Sequence, residues 1–539
     1  MDATTAGRTD LIAWLDAQPT DLFADDTDFS ALITHHGLSA HRPLLHTTGQ
    51  TVAGPLDEAV RINSRPHNAP TLAAWDGVGR YTAEVEHHPT WRTAGALIYG
   101  TGIMSLYGQN PPPHQLILSL FYLTGQAGEA GHNCPLACNA GAIRTLSALG
   151  TPQQKARYLT RLLDPNFATN FTASQFLTEV QGGSDVGANA TTATRQPDGS
   201  WRISGEKWFC SNADADVFLM TARVEGQGVG TRGLGLFVVP RRLPDGALNG
   251  FSIRRLKDKL GTRTMASGEI DFTAAVAEPL GPTDGAFQNI MRLVINTSRL
   301  YNAFGCAAHA RRAWVVASTY AQHRRAFGRP IADFTDVCET LAWIRSDAAA
   351  SLAASLWLAR IAERDEADEL SEDERAFFRI AVNLNKTATA VLAHDAVNRG
   401  IEILGGNGAI ESFSVLPRLL RDNVVYENWE GTHNVLRAQV LRDCLRLKVH
   451  EGFFSVLESR LGAALIDPER AAFEALSTTE PALMTLRFRR LAHRMSILVM
   501  LAAMAEVPAL APHAALTARH LGPLPVDADY LALIKVLRR

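Results

Sequence analysis

Thr178-Glu179-Val180-Gln181-Gly182-Gly183-Ser184-Asp185-Val186 stands where the character of the chain changes. Upstream, apolar residues recur at helical spacing in Thr93–Tyr107, His114–Leu123, Ala140–Leu149 and Gln153–Leu163, with a Pro-rich break at Pro111–Pro113. Downstream come short runs rich in aromatic and β-branched residues: Trp201–Ile203, Val217–Ala222, Gly235–Val239 and Glu269–Phe272. Gly, Asn and Asp clusters separate them, which predicts an antiparallel sheet or small barrel. The pattern then returns to helix in Ala307–His323, Thr335–Ala362 and Glu374–Arg399, the last ending at Gly400. The tail is also helical, with breaks at Asp467–Pro468, Glu480–Pro481, Pro508–Pro512 and Pro523–Pro525. The expected division is a helical domain over 1–170, a β-barrel over 171–282, a helical bundle over 283–447 and an additional helical domain over 448–539.

The bulk numbers exclude several classes. A chain of 539 residues exceeds one compact core. The hydrophobic fraction of 46% and charged fraction of 20% are those of a globular protein. A net charge of −3 gives no general pull toward nucleic acid or anionic lipid. Six sparse cysteines form no CxxC pair; Cys134 and Cys138 lie in an apolar stretch and read as small buried residues, so no metal site is expected. The stretch from Met1 to Asp26 lacks the apolar core of a signal peptide, and Met495–Ala505 is too short to span a bilayer. A cytoplasmic protein without membrane attachment is expected.

Five constellations carry chemistry, each open to a plainer reading when taken alone. In Thr178–Val186, paired glycines allow close approach of a flat or phosphorylated ligand, and Thr178 and Ser184 add hydroxyls. The same stretch also fits a tight turn. Gly205-Glu206-Lys207-Trp208-Phe209-Cys210-Ser211-Asn212 suits a stacked, hydrogen-bonded ring system, or a core aromatic pair. Arg324-Arg325-Ala326-Phe327-Gly328-Arg329-Pro330 suits a phosphate, or a cationic helix end. Gly405-Gly406-Asn407-Gly408 suits backbone–ligand contact, or a simple helix-ending loop. In Tyr426-Glu427-Asn428-Trp429-Glu430-Gly431-Thr432-His433-Asn434, an apolar ring and a glycine flank Glu430. Apolar surroundings favour the neutral carboxyl and raise its pKa toward neutrality, which suits a general base.

Order and spacing make the set distinctive. TExxGGSD, GEKWFCSN, Lys259–Phe272, RRAFGRP, EILGGNG and WEGTHN succeed one another between two helical regions. This succession resembles the acyl-CoA dehydrogenase superfamily over about residues 85–447. Within it the chain is similar to the AidB-type, alkylation-response branch. The supporting residues are His88-Pro89-Thr90-Trp91, Glu129-Ala130-Gly131, Cys134-Pro135, Pro244-Asp245-Gly246, Arg255–Gly261, Trp429 before Glu430, and the helical tail.

The resemblance implies an α+β, mostly α fold: an N-terminal helical domain, a middle β-barrel and a C-terminal four-helix bundle, here with an extra helical region. It implies FAD lying between barrel and bundle, and a homotetramer. Carried over by position, Leu177, Thr178, Gly183 and Ser184 contact flavin ring and pyrophosphate, and Phe209 and Ser211 flank the isoalloxazine. Arg324 and Phe327 reach the FAD bound mainly by a partner subunit, and Glu402, Gly405 and Gly406 line its other end. Thr432 and Asn434 hold adenine-side phosphates. Phe209 stands where relatives often have Trp, Glu402 where many have Gln, and Asn434 where Gln is frequent.

Glu430 falls on the family's catalytic carboxylate. The implied reaction is α,β-dehydrogenation of an acyl-CoA or related acyl thioester. Glu430 takes the α-proton and flavin N5 the β-hydride, while a ribityl hydroxyl and the Glu430 backbone N–H stabilise the enolate oxygen. Electron-transfer flavoprotein or oxygen is the implied acceptor. Two other readings stand beside this one: a flavin-dependent monooxygenase on the same fold, and an AidB-like DNA-binding, alkylation-protective flavoprotein. Arg487, Arg489, Arg490, Arg494, Arg538 and Arg539 favour nucleic acid, but Glu451, Glu458, Asp467, Glu469 and Glu474 nearly balance them. A solvated helix face is the favoured reading of that cluster.

Overall fold

Seven strands form one sheet, five of them closing into a ring, in the computed structural model, which describes residues 3–522 and 525–538. A hairpin of β1 (Thr71–Trp75) and β2 (Tyr81–Glu86) precedes them, inside the zone expected to be helical. Barrel strands follow as β3 (Ala173–Phe176), β4 (Thr192–Arg195), β5 (Trp201–Ser211), β6 (Val217–Val224), β7 (Leu234–Pro240), β8 (Phe251–Leu256) and β9 (Ser267–Pro279). Their order is β3-β6-β4-β5-β9-β7, with β8 beside β9 and a β6–β7 pairing that closes the ring. The barrel is not purely antiparallel, because β3 and β4 both run parallel to β6. Run spacing locates strands, whereas partner choice depends on where the intervening loops travel.

Alternation puts one face of each strand inside. Phe176, Phe218, Phe237, Phe251, Phe272, Ile203 and Ile270 fill the interior. Phe218 is central, 4.8 Å from the Phe176 ring and edge-on to Phe251 at 5.2 Å. Each such ring contributes about 1.5–3 kcal/mol by leaving water. The barrel belongs to a compact unit of residues 56–112 and 129–298. Within it the Asn133–Leu149 helix braces β3, Asn139 Oδ1 accepting the Ala173 N–H at 2.5 Å.

The second unit comprises residues 1–55, 113–128 and 299–539. Residues of the first expected zone are thus shared between the two units. The second unit contains long helices at Thr335–Glu366, Glu372–Leu404 and Pro481–Met504, and the greater part of Asn296–His323. A two-residue-turn hairpin, β10 (Arg325–Ala326) with β11 (Arg329–Pro330), follows the Asn296–His323 helix. Gly400 does not end its helix, as the sequence suggested. It is buried inside it, and the stop falls at Gly405, whose φ is 59°. Pro468 likewise lies within the Ala463–Glu474 helix, and the break is at Gly462 with φ 81°. The expected Pro523 break and Arg539 lie outside the described residues.

A buried ionic cluster ties residues 26–28 into this unit. Asp26 accepts from Tyr122 Oη at 2.8 Å and pairs with Arg311 at 3.2 Å. Asp28 pairs with Arg345 at 2.9 Å and His513 at 3.2 Å. No helix among the described residues is long and apolar enough to cross a membrane.

Gly305, in the Asn296–His323 helix, lets the Tyr426 ring lie against the backbone; a Cβ there would meet Tyr426 Cε1 at 2.6 Å. Gly305→Ala should therefore destabilise by about 1–3 kcal/mol despite alanine's better helix propensity. A denaturant melt checks this, and a more stable variant would refute the packing argument.

Candidate active site

On the barrel, β3 ends at Phe176 and the chain enters the loop carrying Leu177, Thr178, Gly183 and Ser184. Glu179, buried among them, organises this loop. It accepts Lys207 Nζ at 2.7 Å, Gln181 Nε2 at 2.7 Å, and the N–H groups of Ala190 at 2.6 Å and Thr191 at 3.2 Å. Burial pushes the Glu179 carboxyl up, but Lys207 and these donors more than offset it and hold it below its usual range. Trp208 N–H donates to the Thr178 carbonyl at 2.9 Å, bringing the loop beside β5.

The two glycines of this loop differ in purpose. A Cβ on Gly182 would come within 2.0 Å of Asn189 Oδ1, so Gly182 serves internal packing. Beside Gly183 the nearest atom is Thr178 Cγ2 at 3.8 Å, so that backbone is open to approach. Thr178, Ser184 and Ser211 hydroxyls make no hydrogen bond to other described residues.

Along β5, register shifts between Lys207 and Cys210, burying both and turning Phe209 outward. Phe209 is 57% exposed, unusual for phenylalanine on a strand. Lys257, not singled out as a site residue from the sequence, sits 3.5 Å from the Trp208 ring centre and 4.8 Å from that of Phe209. Glu269 anchors it at 2.7 Å.

In the second unit, Glu430 lies in the turn between the Leu416–Asn428 and His433–Leu447 helices. Glu430 and Gly431 are both left-handed, with φ 58° and 104°. For a non-glycine residue that conformation costs about 1–3 kcal/mol and persists only where surroundings impose it. Arg299 Nε donates to the Glu430 carbonyl at 3.2 Å, and its Nη2 to Gln439 Oε1 at 3.3 Å. Lys386 Nζ donates to the carbonyls of Glu427 at 2.9 Å and Gly431 at 3.1 Å.

The Glu430 carboxylate itself makes no hydrogen bond to the described residues. Burial raises its pKa to about 7, against the pull of Arg299 and Lys386. Burial also lowers Arg299 to about 10 and Lys386 to about 8. The apolar flanks of Glu430 are a local signal in the chain. Arg299 and Lys386 had no local signal, being distant helix residues brought in by packing.

Thr432 and Asn434 are exposed beside this turn, Asn434 Oδ1 accepting from Arg437 at 3.2 Å. Arg324 and Phe327 belong to a different place. Phe327 tops the β10–β11 turn with φ 50° and is 96% exposed. Glu402, Gly405 and Gly406 are exposed at the end of their helix, and no atom lies within 4 Å of a Cβ on either glycine. Asn407 Nδ2 donates to Tyr320 Oη at 3.2 Å, joining this end to the last turns of the Asn296–His323 helix, just ahead of Arg324. At 1.5 Å per helical residue, Arg324 stands about 37 Å along the Asn296–His323 helix direction from Arg299, the residue that holds the Glu430 carbonyl. The structure therefore gathers the second unit's expected site residues into two separate groups.

The arginine cluster near the C-terminus is partly engaged internally. Arg494 pairs with buried Glu469, Arg487 donates to the Thr479 hydroxyl at 3.1 Å, and Arg538 reaches the Ala332 carbonyl.

Family models match consecutive stretches of the chain. They are the Adaptive response protein AidB N-terminal domain over residues 15–169, the acyl-CoA dehydrogenase middle domain over 174–275, and the acyl-CoA dehydrogenase C-terminal domain over 287–445. AidB of Escherichia coli (strain K12) is 30% identical over 435 residues, covering 78% of this chain and 78% of that protein. Acyl-CoA dehydrogenase family member 11 of Caenorhabditis elegans is 33% identical over 387 residues, covering 69% of this chain and 62% of that protein. Among solved structures, the apo form of Bd2924 superposes with a TM-score of 0.85 at 27% identity, covering 91% of this chain and 98% of that one. The chain belongs to the acyl-CoA dehydrogenase family of FAD-dependent oxidoreductases and carries an AidB-type N-terminal domain.

Proposed function

We propose that the protein catalyses FAD-dependent α,β-dehydrogenation of an acyl-CoA or related acyl thioester, with Glu430 as the general base. One observation carries the reading: a half-buried carboxylate without a hydrogen-bond partner among the described residues, its pKa raised by desolvation to about 7, in a turn held by two cations. A base poised near neutrality combines the correct protonation state with proton affinity. Glu430 takes the α-proton. Arg299 and Lys386, fixed on backbone carbonyls, favour its ionised form beforehand without pairing to it directly. Neutral Glu430, after the transfer, is the form that burial prefers.

The residues fit FAD. On the barrel, support comes from the exposed Phe209 ring, the open Gly183 backbone and the uncommitted hydroxyls of Thr178, Ser184 and Ser211. On the helical unit, Thr432 and Asn434 are exposed beside Glu430. When bound, FAD supplies the two-electron acceptor. The helix length of about 37 Å between Arg299, which holds the Glu430 carbonyl, and Arg324 supports a role for Arg324, Phe327, Glu402, Gly405 and Gly406 at a second subunit's cofactor, and hence the proposed homotetramer. Under the same reading the domain limits are 1–170, 171–282, 283–447 and 448–539, and the acceptor is electron-transfer flavoprotein or oxygen. Engagement of Arg494 with Glu469 and of Arg538 with the Ala332 carbonyl takes two members of the C-terminal arginine cluster out of a nucleic-acid role, while Arg487, Arg489 and Arg490 stay exposed.

Anaerobic titration with a panel of acyl-CoAs tests this directly. Bleaching of the flavin band by one acyl class supports the dehydrogenase, and no bleaching by any of them in FAD-loaded protein refutes it. The pH dependence follows from Glu430. Its folded pKa is raised, so below about 7 it holds a proton and cannot accept another. The rate of flavin reduction at saturating substrate should rise with pH through about 7 and then level off. A flat profile there would remove Glu430 from the proton-transfer step.

A further inference from the structure

Lys386 is fully buried in the Glu372–Leu404 helix, and among the described residues it forms no ion pair with a carboxylate. A buried ammonium costs several kcal/mol unless something compensates. Its contacts are two backbone carbonyls, those of Glu427 and Gly431, at 2.9 and 3.1 Å. These bracket Glu430 on both sides. The Glu427 carbonyl belongs to the last turn of the Leu416–Asn428 helix, where a cation is favourable. The Gly431 carbonyl lies beyond that helix, so capping alone does not explain the contact. Arg299 holds the carbonyl between them. Two helices thus each extend one cation to a turn whose left-handed Glu430 needs external support.

We propose that Lys386 is a positioning residue that fixes the Glu430 turn and, by its charge, keeps the Glu430 carboxyl ionisable in a half-buried setting. The inference rests on Glu430 being the base. The groups facing Lys386 are few. Cys306 and Arg299 come from the Asn296–His323 helix, and Glu427 and Glu430 from the turn region. Burial pushes the Cys306 thiol up to about 12, so it stays neutral. Glu427 has His394 Nδ1 at 2.9 Å and shares a hydrogen bond with His433 at 3.2 Å, whereas the Glu430 carboxylate has no hydrogen-bond partner among the described residues. Arg299 repels Lys386 and attracts Glu430.

The test uses the FAD-loaded protein. Infrared difference spectra across a pH titration report the Glu430 carboxyl, its band assigned by loss in Glu430→Gln. In Lys386→Met, similar in length but uncharged, the band should titrate above its native midpoint of about 7. The pH profile of flavin reduction should move the same way, and Lys386→Arg should return both most of the way to the native midpoint. An unchanged titration in Lys386→Met, with only a lower melting temperature, would overturn the proposal and leave a merely structural lysine. If the methionine variant does not fold, Lys386→Gln takes its place with the same two outcomes. The titration needs no turnover. A Glu430→Gln variant that kept the native rate would thus defeat the base assignment, while the carboxyl midpoint would still decide whether Lys386 acts on Glu430.

Discussion

Glu430→Gln lowers the rate of flavin reduction by an acyl thioester about 10²–10⁴-fold and leaves the protein yellow. The amide has the same shape and cannot take a proton at neutral pH. The turn should survive, because Arg299 and Lys386 grip the backbone carbonyls of residues 427, 430 and 431 and not the replaced side chain. Stability should rise above neutrality. The native carboxyl has a folded pKa of about 7, above its unfolded value, so its ionisation opposes folding increasingly as pH rises from the unfolded value through about 7. The glutamine variant lacks that penalty, and its stability should vary less with pH over this window. Anaerobic rapid mixing gives the rate, and denaturant melts on both sides of neutrality give the stability. A variant reduced at the native rate would mean that another group takes the proton.

What the sequence made legible was local. Trp429, Glu430 and Gly431 read as an apolar-flanked carboxylate because burial and flank composition are properties of neighbours in the chain. Arg299 and Lys386 were invisible because they lie 131 and 45 residues from the carbonyls of Glu430 and Gly431. Nothing in helix periodicity says which buried cation faces which turn. The same limit explains the barrel. Its strands fall where aromatic and β-branched runs fall, yet the parallel partnership of β3 and β4 with β6 is set by loop paths. The β1–β2 hairpin was missed because two short strands interrupt an otherwise helical zone. Gly400 and Pro468 misled for a different reason: burial against Leu416 and Ala313 makes a glycine tolerable in mid-helix, and Gly462 already ends the preceding helix. In the Thr178–Val186 loop, Gly182 and Gly183 looked equivalent, and only the position of Asn189 separates a packing glycine from an open one.

Lys207→Met should destabilise the protein by about 3–5 kcal/mol, because it strands Glu179 as an uncompensated buried charge. Lys207 is fully buried and Glu179 nearly so, and among the described residues their contact of 2.7 Å is the one link from Glu179 to a full positive charge. The remaining donors, Gln181 and the Ala190 and Thr191 N–H groups, satisfy its lone pairs without neutralising it. The loss should be greatest above the ordinary carboxylate range and shrink in acid. Glu179 is held below its unfolded pKa, so the pair's stabilisation is present above that value and disappears as pH falls through the folded one. A second effect follows from location. Glu179 pins the loop that presents Thr178, Gly183 and Ser184, so FAD retention should fall along with stability. Replacing both partners, Lys207→Met with Glu179→Gln, removes the stranded charge and should recover much of the stability while leaving the loop looser. Chemical denaturation measures the first effect, and flavin absorbance retained after gel filtration measures the second. A single variant that lost less than about 1 kcal/mol, the ordinary worth of a neutral hydrogen bond, would show that Glu179 does not depend on Lys207. A double variant as unstable as the single would show that the loop, and not the charge, carries the cost.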